Sequence, residues 1–270
     1  MKFVSSKSNP VFKFLKSLKE PKARKEHQSF LLEGFSFVQE LLQQRDKQVL
    51  FLVLEKERLK RLEPLLTLAK QAKIPIIVLD AALFKEVAVS ETPQGVLAVV
   101  KIPTHKNFSE VLETSPACVV VMEEIQDPSN VGAIIRTASA VGASCVFYTK
   151  GTADPFSPKA VRASAGAVLN LPVIKIENLL NLTPTLKEKG FKLVATVVKG
   201  GEDLFTFSFP KKTVLLLGNE AKGLSAEGMV ASDYKLTIPI IGKVESLNVA
   251  VAAGIVLYQW LIQRFYIVKT

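Results

Sequence analysis

An α/β fold in two domains is predicted by three observations. Strand-like and helical segments alternate along both halves of the chain. A polar stretch with two prolines, PTHKNFSEVLETSPA, separates those halves and reads as a linker over 103–116. A length of 270 residues with 48% hydrophobic content suits two modest domains, each with a real core.

The first domain is expected over residues 1–102. Lys2, Lys7, Lys13, Lys16, Lys19, Lys22, Arg24 and Lys25 face only Glu20 in the opening stretch, and Phe12, Leu15 and Leu18 recur between them. That spacing predicts an amphipathic helix with a cationic face. SFLLEG reads as a strand and turn, and SFVQELLQQ as a helix with Val38, Leu41 and Leu42 inward. VLFLVLE, IPIIVLD and QGVLAVVKI are short β-rich runs.

The second domain is expected over 117–270. CVVVMEEI is a buried strand, SNVGAIIRTASAVGA a helix and CVFYTK another strand. SPKAVRASAGAV reads as a helix, LPVIKI and FKLVATVV as strands, TVLLLGNE as a strand entering a turn, and YKLTIPI as the last strand. Such alternation favours a mostly parallel sheet covered on both faces, with ligands at the C-terminal strand ends. The closing apolar helix, with small Ala250, Ala253 and Gly254 before Leu257, Tyr258 and Trp260, is core or interface. It is too short to cross a bilayer.

Composition narrows the functions. A net charge of +10 favours a polyanionic partner such as nucleic acid over an acidic membrane surface. The N-terminal stretch has no apolar signal core, and Cys118 and Cys145 read as reduced core thiols, so a cytoplasmic setting is expected. His27 and His105 are isolated from each other and from the cysteines, against a histidine-dependent hydrolase or a metal site. Neither a G-x-G-x-x-G nor a Walker A sequence is present, against a Rossmann dehydrogenase or a P-loop enzyme.

Three strand ends carry short polar side chains, with glycine inside or just after each: Asp127–Asn130 (followed by Gly132), Gly218–Glu220 and Ile238–Asn248. Glycine permits the close backbone approach that a ligand-wrapping loop requires. Arg136 lies about 200° from the core residue Ile134 at 100° per residue, so it points off the core. Asn130 is six positions earlier, about 120° away on a continuous helix, and would work beside Arg136 only from a cap or loop. Either Asp127 or Asn130 fits as that cap. Ser246 is the natural cap of the last helix, which leaves Asn248 as first-turn polarity or a ligand contact.

NVGAIIRTASAVGA, LLLGNEAKGLS and IPIIGKVESLNVAVAAGI, in that order, resemble the three motifs of the SpoU (TrmH-type) RNA ribose 2′-O-methyltransferases, and SPKAVRASAGA between the first two also fits. The first half, with SSKSNPVFKFLKSLKEPKARKEHQSFLLEG, resembles that family's N-terminal substrate-binding domain, which is similar to ribosomal protein L30e. The resemblance implies a C-terminal α/β domain threaded into a deep trefoil knot, a rare exception to ordinary chain topology. It implies S-adenosylmethionine held by backbone groups around Gly218, Ile238 and Leu247, with Asn219 and Gly242 nearby and no metal. Ser246 and Asn248 would face the reaction centre, and Asn130 and Glu220 would complete its hydrogen-bond frame. Arg136 would act on the ribose hydroxyl. A free guanidinium is almost never deprotonated, so it serves as a base only with strong help, or else orients the hydroxyl and a phosphate.

Arg162, Lys22, Arg24 and Lys25 are the expected RNA contacts. A homodimer through the C-terminal domain is also implied. The L30e-like domain favours large-subunit, 23S-type rRNA as substrate. A tRNA 2′-O-methyltransferase and a non-catalytic RNA-binding or ribosome-assembly protein are the alternatives.

Overall fold

The computed structural model describes residues 1–44, 48–104, 112–113 and 117–266. Most of the linker expected over 103–116 lies outside the described residues. Two compact units emerge, Met1–Thr104 with Phe156–Gly166, and His105–Pro155 with Ala167–Thr270.

The first unit contains β1 (Lys2–Val4), α1 (Pro10–Ser17), α2 (Pro21–His27), β2 (Ser29–Glu33), α3 (Phe35–Gln43), β3 (Val49–Glu55), α4 (Glu63–Gln71), β4 (Ile76–Leu79), α5 (Ala81–Val87) and β5 (Val96–Lys101). Its sheet runs β1-β4-β3-β5-β2, parallel across the first three strands and antiparallel across the last three. Phe12, Leu15, Leu18, Val53, Ile77, Phe84 and Val99 share one core. Fully burying each such side chain contributes roughly 1.5–3 kcal/mol.

Where one N-terminal helix was expected, the structure has two. Asn9 caps α1, its Oδ1 accepting from the Val11 N–H at 2.9 Å. Pro21 has no N–H to continue that helix and instead opens α2, with Glu20 before it extended. Arg24 also departs from its expected place on a cationic face. It is 3% exposed, and Nη1 donates to the carbonyls of Leu18 at 2.9 Å and Lys19 at 2.7 Å, where α1 runs out of intrahelical partners. Arg24 thus ties off the end of α1 from a buried position, unlike its exposed basic neighbours. Lys22 and Lys25 remain exposed.

The second unit contains β6 (Ala117–Met122), α6 (Pro128–Ala140), β7 (Cys145–Tyr148), β8 (Val173–Lys175), α8 (Leu179–Glu188), β9 (Lys192–Thr196), β10 (Glu202–Asp203), β11 (Lys212–Leu217), α9 (Ala226–Ala231), β12 (Tyr234–Thr237) and α10 (Val249–Phe265). The remaining helix of the chain, α7 (Pro158–Ala163), belongs to the first unit and packs on β2. The segment SPKAVRASAGAV was expected to be one helix. It stops at Ala163 because Ala165 and Gly166 take left-handed φ of 50° and 83°, and a 3₁₀ turn over Ala167–Leu169 follows.

The seven strands of this unit lie in the order β10-β12-β9-β11-β6-β7-β8, and every pairing is parallel. All six residues of β6 are buried, as a strand covered on both faces requires. Val119, Val121, Leu193, Val214 and Leu216 meet Leu179, Leu182 and Leu186 of α8, while α10 packs on α6. β6 has β7 and β8 on one side and β11, β9, β12 and β10 on the other. The strand order therefore reverses between β6 and β11, the place where open α/β sheets leave a crevice at their C-terminal edge.

Candidate active site

The observed cleft lies beside that reversal, over the C-terminal ends of β9, β11 and β12. About 390 Å³ in volume, it is walled by Thr196–Val198 after β9, Gly218–Gly223 after β11, Ile238 and Ile240 after β12, and Glu245–Leu247 with Val249 and Ala252 at the start of α10. Gly218 is required by space. A Cβ there would lie 2.3 Å from the Gly223 carbonyl carbon and from the Leu224 nitrogen, both backbone. The loop is closed beyond it by paired Asn219 and Gly223 backbone groups, at 3.0 and 2.9 Å. Asn219 Oδ1 accepts from the N–H groups of Ala221 and Lys222, and its Nδ2 donates to the Glu124 carbonyl at 2.8 Å. The loop after β11 is thereby fastened to the loop after β6.

A chain of amides fastens the third loop. Glu220 accepts from the Gln126 N–H at 3.1 Å, the Asp127 N–H at 3.3 Å and Asn130 Nδ2 at 2.9 Å. Asn130 is 9% exposed, and its Oδ1 accepts from Asn248 Nδ2 at 3.0 Å. Asn248 Oδ1 in turn accepts from the N–H groups of Ala250 and Val251. Each amide is fixed in orientation by this sequence of donors and acceptors. Burial pushes the Glu220 carboxyl upward, but bonds from Asn130 and from the backbone N–H groups of Glu220, Gln126 and Asp127 outweigh it. The acid is held below its ordinary range.

These contacts settle the caps. Asp127 caps α6, with Oδ1 on the Ser129 N–H at 2.9 Å, and Asn130 sits inside the first turn. Asn248, not Ser246, caps α10, because the chain becomes helical only at Val249. Ser246 is exposed and lines the cleft instead.

Of the expected cofactor residues, Gly218, Asn219, Ile238 and Leu247 line the cleft, and Glu220 joins them. Gly242 is exposed, has open space where a Cβ would stand and is not among the lining residues. Arg136 is exposed on α6, and no hydrogen bond or ion pair engages it among the described residues. Asn130 is bonded to Glu220 and Asn248 and not to Arg136. Arg162 is exposed in the first unit, at the end of α7.

Two features escaped sequence reasoning. Thr196–Val198 form a fourth wall of the cleft, hidden because KLVATVV reads as uninterrupted strand. Glu123 grips Ser225, accepting from its N–H at 2.9 Å and its hydroxyl at 2.8 Å, and Ser225 caps α9. Cys118 and Cys145 are buried free thiols on neighbouring strands. Burial pushes both up, Cys145 to about 12, which keeps them inert at neutral pH.

The parallel sheet, the cleft at the C-terminal ends of β9, β11 and β12 and the bonded polar loops define an α/β ligand-binding enzyme fold. The SpoU rRNA Methylase family profile matches residues 117–258, and that of an MRM3-like substrate binding domain matches residues 9–98. The chain belongs to the SpoU rRNA methylase family. It is 33% identical over 258 residues to the 23S rRNA (guanosine(2553)-2′-O)-methyltransferase RlmP of Bacillus subtilis, covering 96% of this chain and 98% of that one. An AdoMet-bound rRNA methyltransferase from Sinorhizobium meliloti superposes with a TM-score of 0.86 at 28% identity, over 98% of this chain and 99% of that one. The SpoU methyltransferase AviRb from Streptomyces viridochromogenes, in complex with AdoMet, gives 0.85 at 28% identity over 96% and 99%.

Proposed function

We propose that the protein transfers a methyl group from S-adenosylmethionine to a ribose 2′-hydroxyl of large-subunit, 23S-type rRNA. The observation that carries this reading is the cleft itself. Two motif-bearing loops wall it at the C-terminal ends of a parallel sheet, and Glu220, Asn130 and Asn248 bond them to the third.

The residues present fit S-adenosylmethionine. The cleft falls within the roughly 300–1,000 Å³ usual for cofactor sites, and the tight turn at Gly218 presents backbone without side chain. Gly218, Ile238 and Leu247 would hold it, with Thr196–Val198 completing the wall. When bound, the cofactor supplies an electrophilic methyl on a sulfonium centre.

The chain's own groups supply alignment. A 2′-hydroxyl is a weak nucleophile and gains most from orientation and from donors placed where negative charge develops. Arg136 brings a guanidinium fork to the charge that develops on that oxygen. Glu220 is occupied by Asn130 and three backbone N–H groups, so it anchors the frame and leaves the hydroxyl proton to others. Asn130 and Asn248 are positioning residues, since their amides are spent on Glu220, on each other and on α10. Ser246, exposed in the cleft wall, contacts substrate.

The knotted path of the chain belongs to this reading. It is supported by β11, which lies between β6 and β9, both earlier in the chain, and by the return of α10 onto α6. So does a homodimer through α10. Val251, Tyr258, Ile262 and Phe265 are exposed there at spacings of seven, four and three, a stripe along one helix face. Among the described residues no helix is long and apolar enough to cross a membrane. A cytoplasmic setting belongs to the same reading.

The test is transfer of labelled methyl from S-adenosylmethionine into unmodified total RNA, fractionated afterwards. Label in large rRNA is expected; label confined to tRNA would overturn the substrate assignment, and cofactor binding without transfer to any RNA or ribosomal particle would favour a non-catalytic protein.

A further inference from the structure

The first unit carries a cleft of its own, about 420 Å³, between the end of β3, the face of α5 and the loop before β5. Arg58, Arg61 and Lys85 line it against Glu55 and Glu91, with Phe84, Thr92, Pro93 and Gln94 completing the walls. None of these residues is among the RNA contacts expected from the sequence.

The cleft is built, not a chance gap between surface side chains. Its loop is pinned at one end by Glu33 of β2, whose Oε2 accepts from the N–H groups of Val89 at 2.6 Å and Ser90 at 3.0 Å. At the other end Gln94 Oε1 accepts from the Phe35 N–H at 2.8 Å. Gly95 then takes a φ of 84° and presses on the floor. A Cβ there would lie 2.6 Å from Arg58 Cδ and 3.0 Å from Glu55 Oε2. Glu55 is 8% exposed. Its Oε2 stands 2.9 Å from Arg58 Nε, yet no donor satisfies it in hydrogen-bonding geometry. A buried carboxylate oxygen left in that state calls for a reason, and here it holds Arg58 by charge at the cleft wall. Because the contact is through Nε, the terminal guanidinium nitrogens of Arg58 stay available as donors. Arg61 and Lys85 are exposed and engage no acid among the described residues.

We propose that this cleft is an RNA subsite that seats one nucleotide away from the methylated one, its phosphodiester on Arg58, Arg61 and Lys85 and its sugar or base against Phe84 and Pro93. Three cations around a cavity of nucleotide size match a bent single strand better than a duplex, whose phosphates line a smooth outer surface. Glu55 acts as a positioning residue for Arg58. The proposal rests on the reading of the chain as an RNA-modifying enzyme, and it places substrate affinity on different residues from catalysis.

The test uses the full chain carrying Arg61→Glu and Lys85→Glu together, both exposed positions whose change leaves the Glu55–Arg58 pair intact. Binding of a short fluorescein-labelled single-stranded RNA is followed by anisotropy across a salt series, with cofactor binding measured by calorimetry. The expected result is an RNA affinity lowered about tenfold or more and a salt slope reduced by roughly 1–2, since each lost phosphate contact removes close to one unit. S-adenosylmethionine affinity stays unchanged, which shows the second unit still folded. Wild-type RNA affinity and slope in the double variant would overturn the proposal. So would displacement of RNA from the wild-type protein by guanosine monophosphate at salt-matched concentrations too low to change ionic strength, which would make the cleft a free-nucleotide site. Failure of the enzymatic reading is separable: a wild-type chain that binds RNA through this cleft but transfers no methyl group would sink the activity and keep the subsite.

Discussion

The two clefts of this molecule are similar in size and differ in how much charge lines them. That of the first unit is walled by three cations and two carboxylates on long side chains. That of the second is walled mostly by glycines, aliphatic residues and short polar groups, with one cation, Lys222, one free acid, Glu245, and a Glu220 already consumed by the protein's own donors. The first suits a ligand recognised by charge, whose affinity salt erodes. The second suits a ligand recognised by shape and backbone, whose affinity salt barely touches. Rigid recognition, mostly by backbone and apolar groups, serves a cofactor that must sit in one orientation. Charged, adaptable recognition serves a polymer that must be found and held.

The sharpest separation comes from Arg136→Ala. Removing the guanidinium takes away transition-state interactions only, so methyl transfer falls by about 10²–10³, the usual scale for one oxyanion donor. RNA affinity and S-adenosylmethionine affinity change by less than about twofold. Single-turnover rates beside calorimetric binding constants check this, and a loss of binding as large as the loss of rate would place Arg136 in affinity instead. Next in size is the salt response. Between 50 and 200 mM salt, RNA binding through about three phosphate contacts weakens roughly twentyfold, whereas cofactor affinity moves by less than about twofold. Equal salt slopes for the two ligands would erase the contrast.

Gly218→Ala is the third test. The added Cβ meets backbone at 2.3 Å, so the loop after β11 must shift. Cofactor affinity drops by about tenfold, as expected for a ~1–3 kcal/mol overpacking strain falling on a binding loop. RNA affinity stays as in the wild type, and an unchanged cofactor constant would mean that this loop does not hold it.

The smallest effect concerns Glu220. Hydrogen bonds hold its folded-state acid below the ordinary carboxylate range. The stability this gives is therefore fully present above the unfolded value of about 4.3 and is lost as pH falls through the lower folded value. Thermal melts of the wild type and Glu220→Gln should differ at pH 7 and converge in acid. A gap that widens on acidification would reverse the sign of the shift.

Much of the second cleft was legible in the sequence, because glycines and short polar side chains at strand ends have few structural uses besides turning and binding. Gly218, Asn219, Ile238 and Leu247, singled out in the sequence as cofactor residues, line it, and Asn130, Glu220 and Asn248 join in one bonded chain. What the sequence hid was what depends on backbone geometry or on distant partners. Ser246 and Asn248 are both good caps, and only the point where φ and ψ turn helical chooses Asn248. Arg24 looks like its lysine neighbours in a charge count, yet the carbonyls freed at the end of α1 draw it inward. Residues 156–166 sit among second-domain motifs but pack with the first unit, a long-range choice that no local pattern records. The cleft of the first unit escaped for the same reason, since Glu55, Lys85 and Gly95 come from separate elements.

The most direct test of the central claim is where the methyl group lands. Labelled rRNA from a wild-type reaction would be hydrolysed in alkali, which cleaves wherever a free 2′-hydroxyl can attack the neighbouring phosphate. Ribose methylation blocks that attack, so the account predicts label in an alkali-resistant dinucleotide; label released in an ordinary mononucleotide would mean methylation of a base and would contradict it.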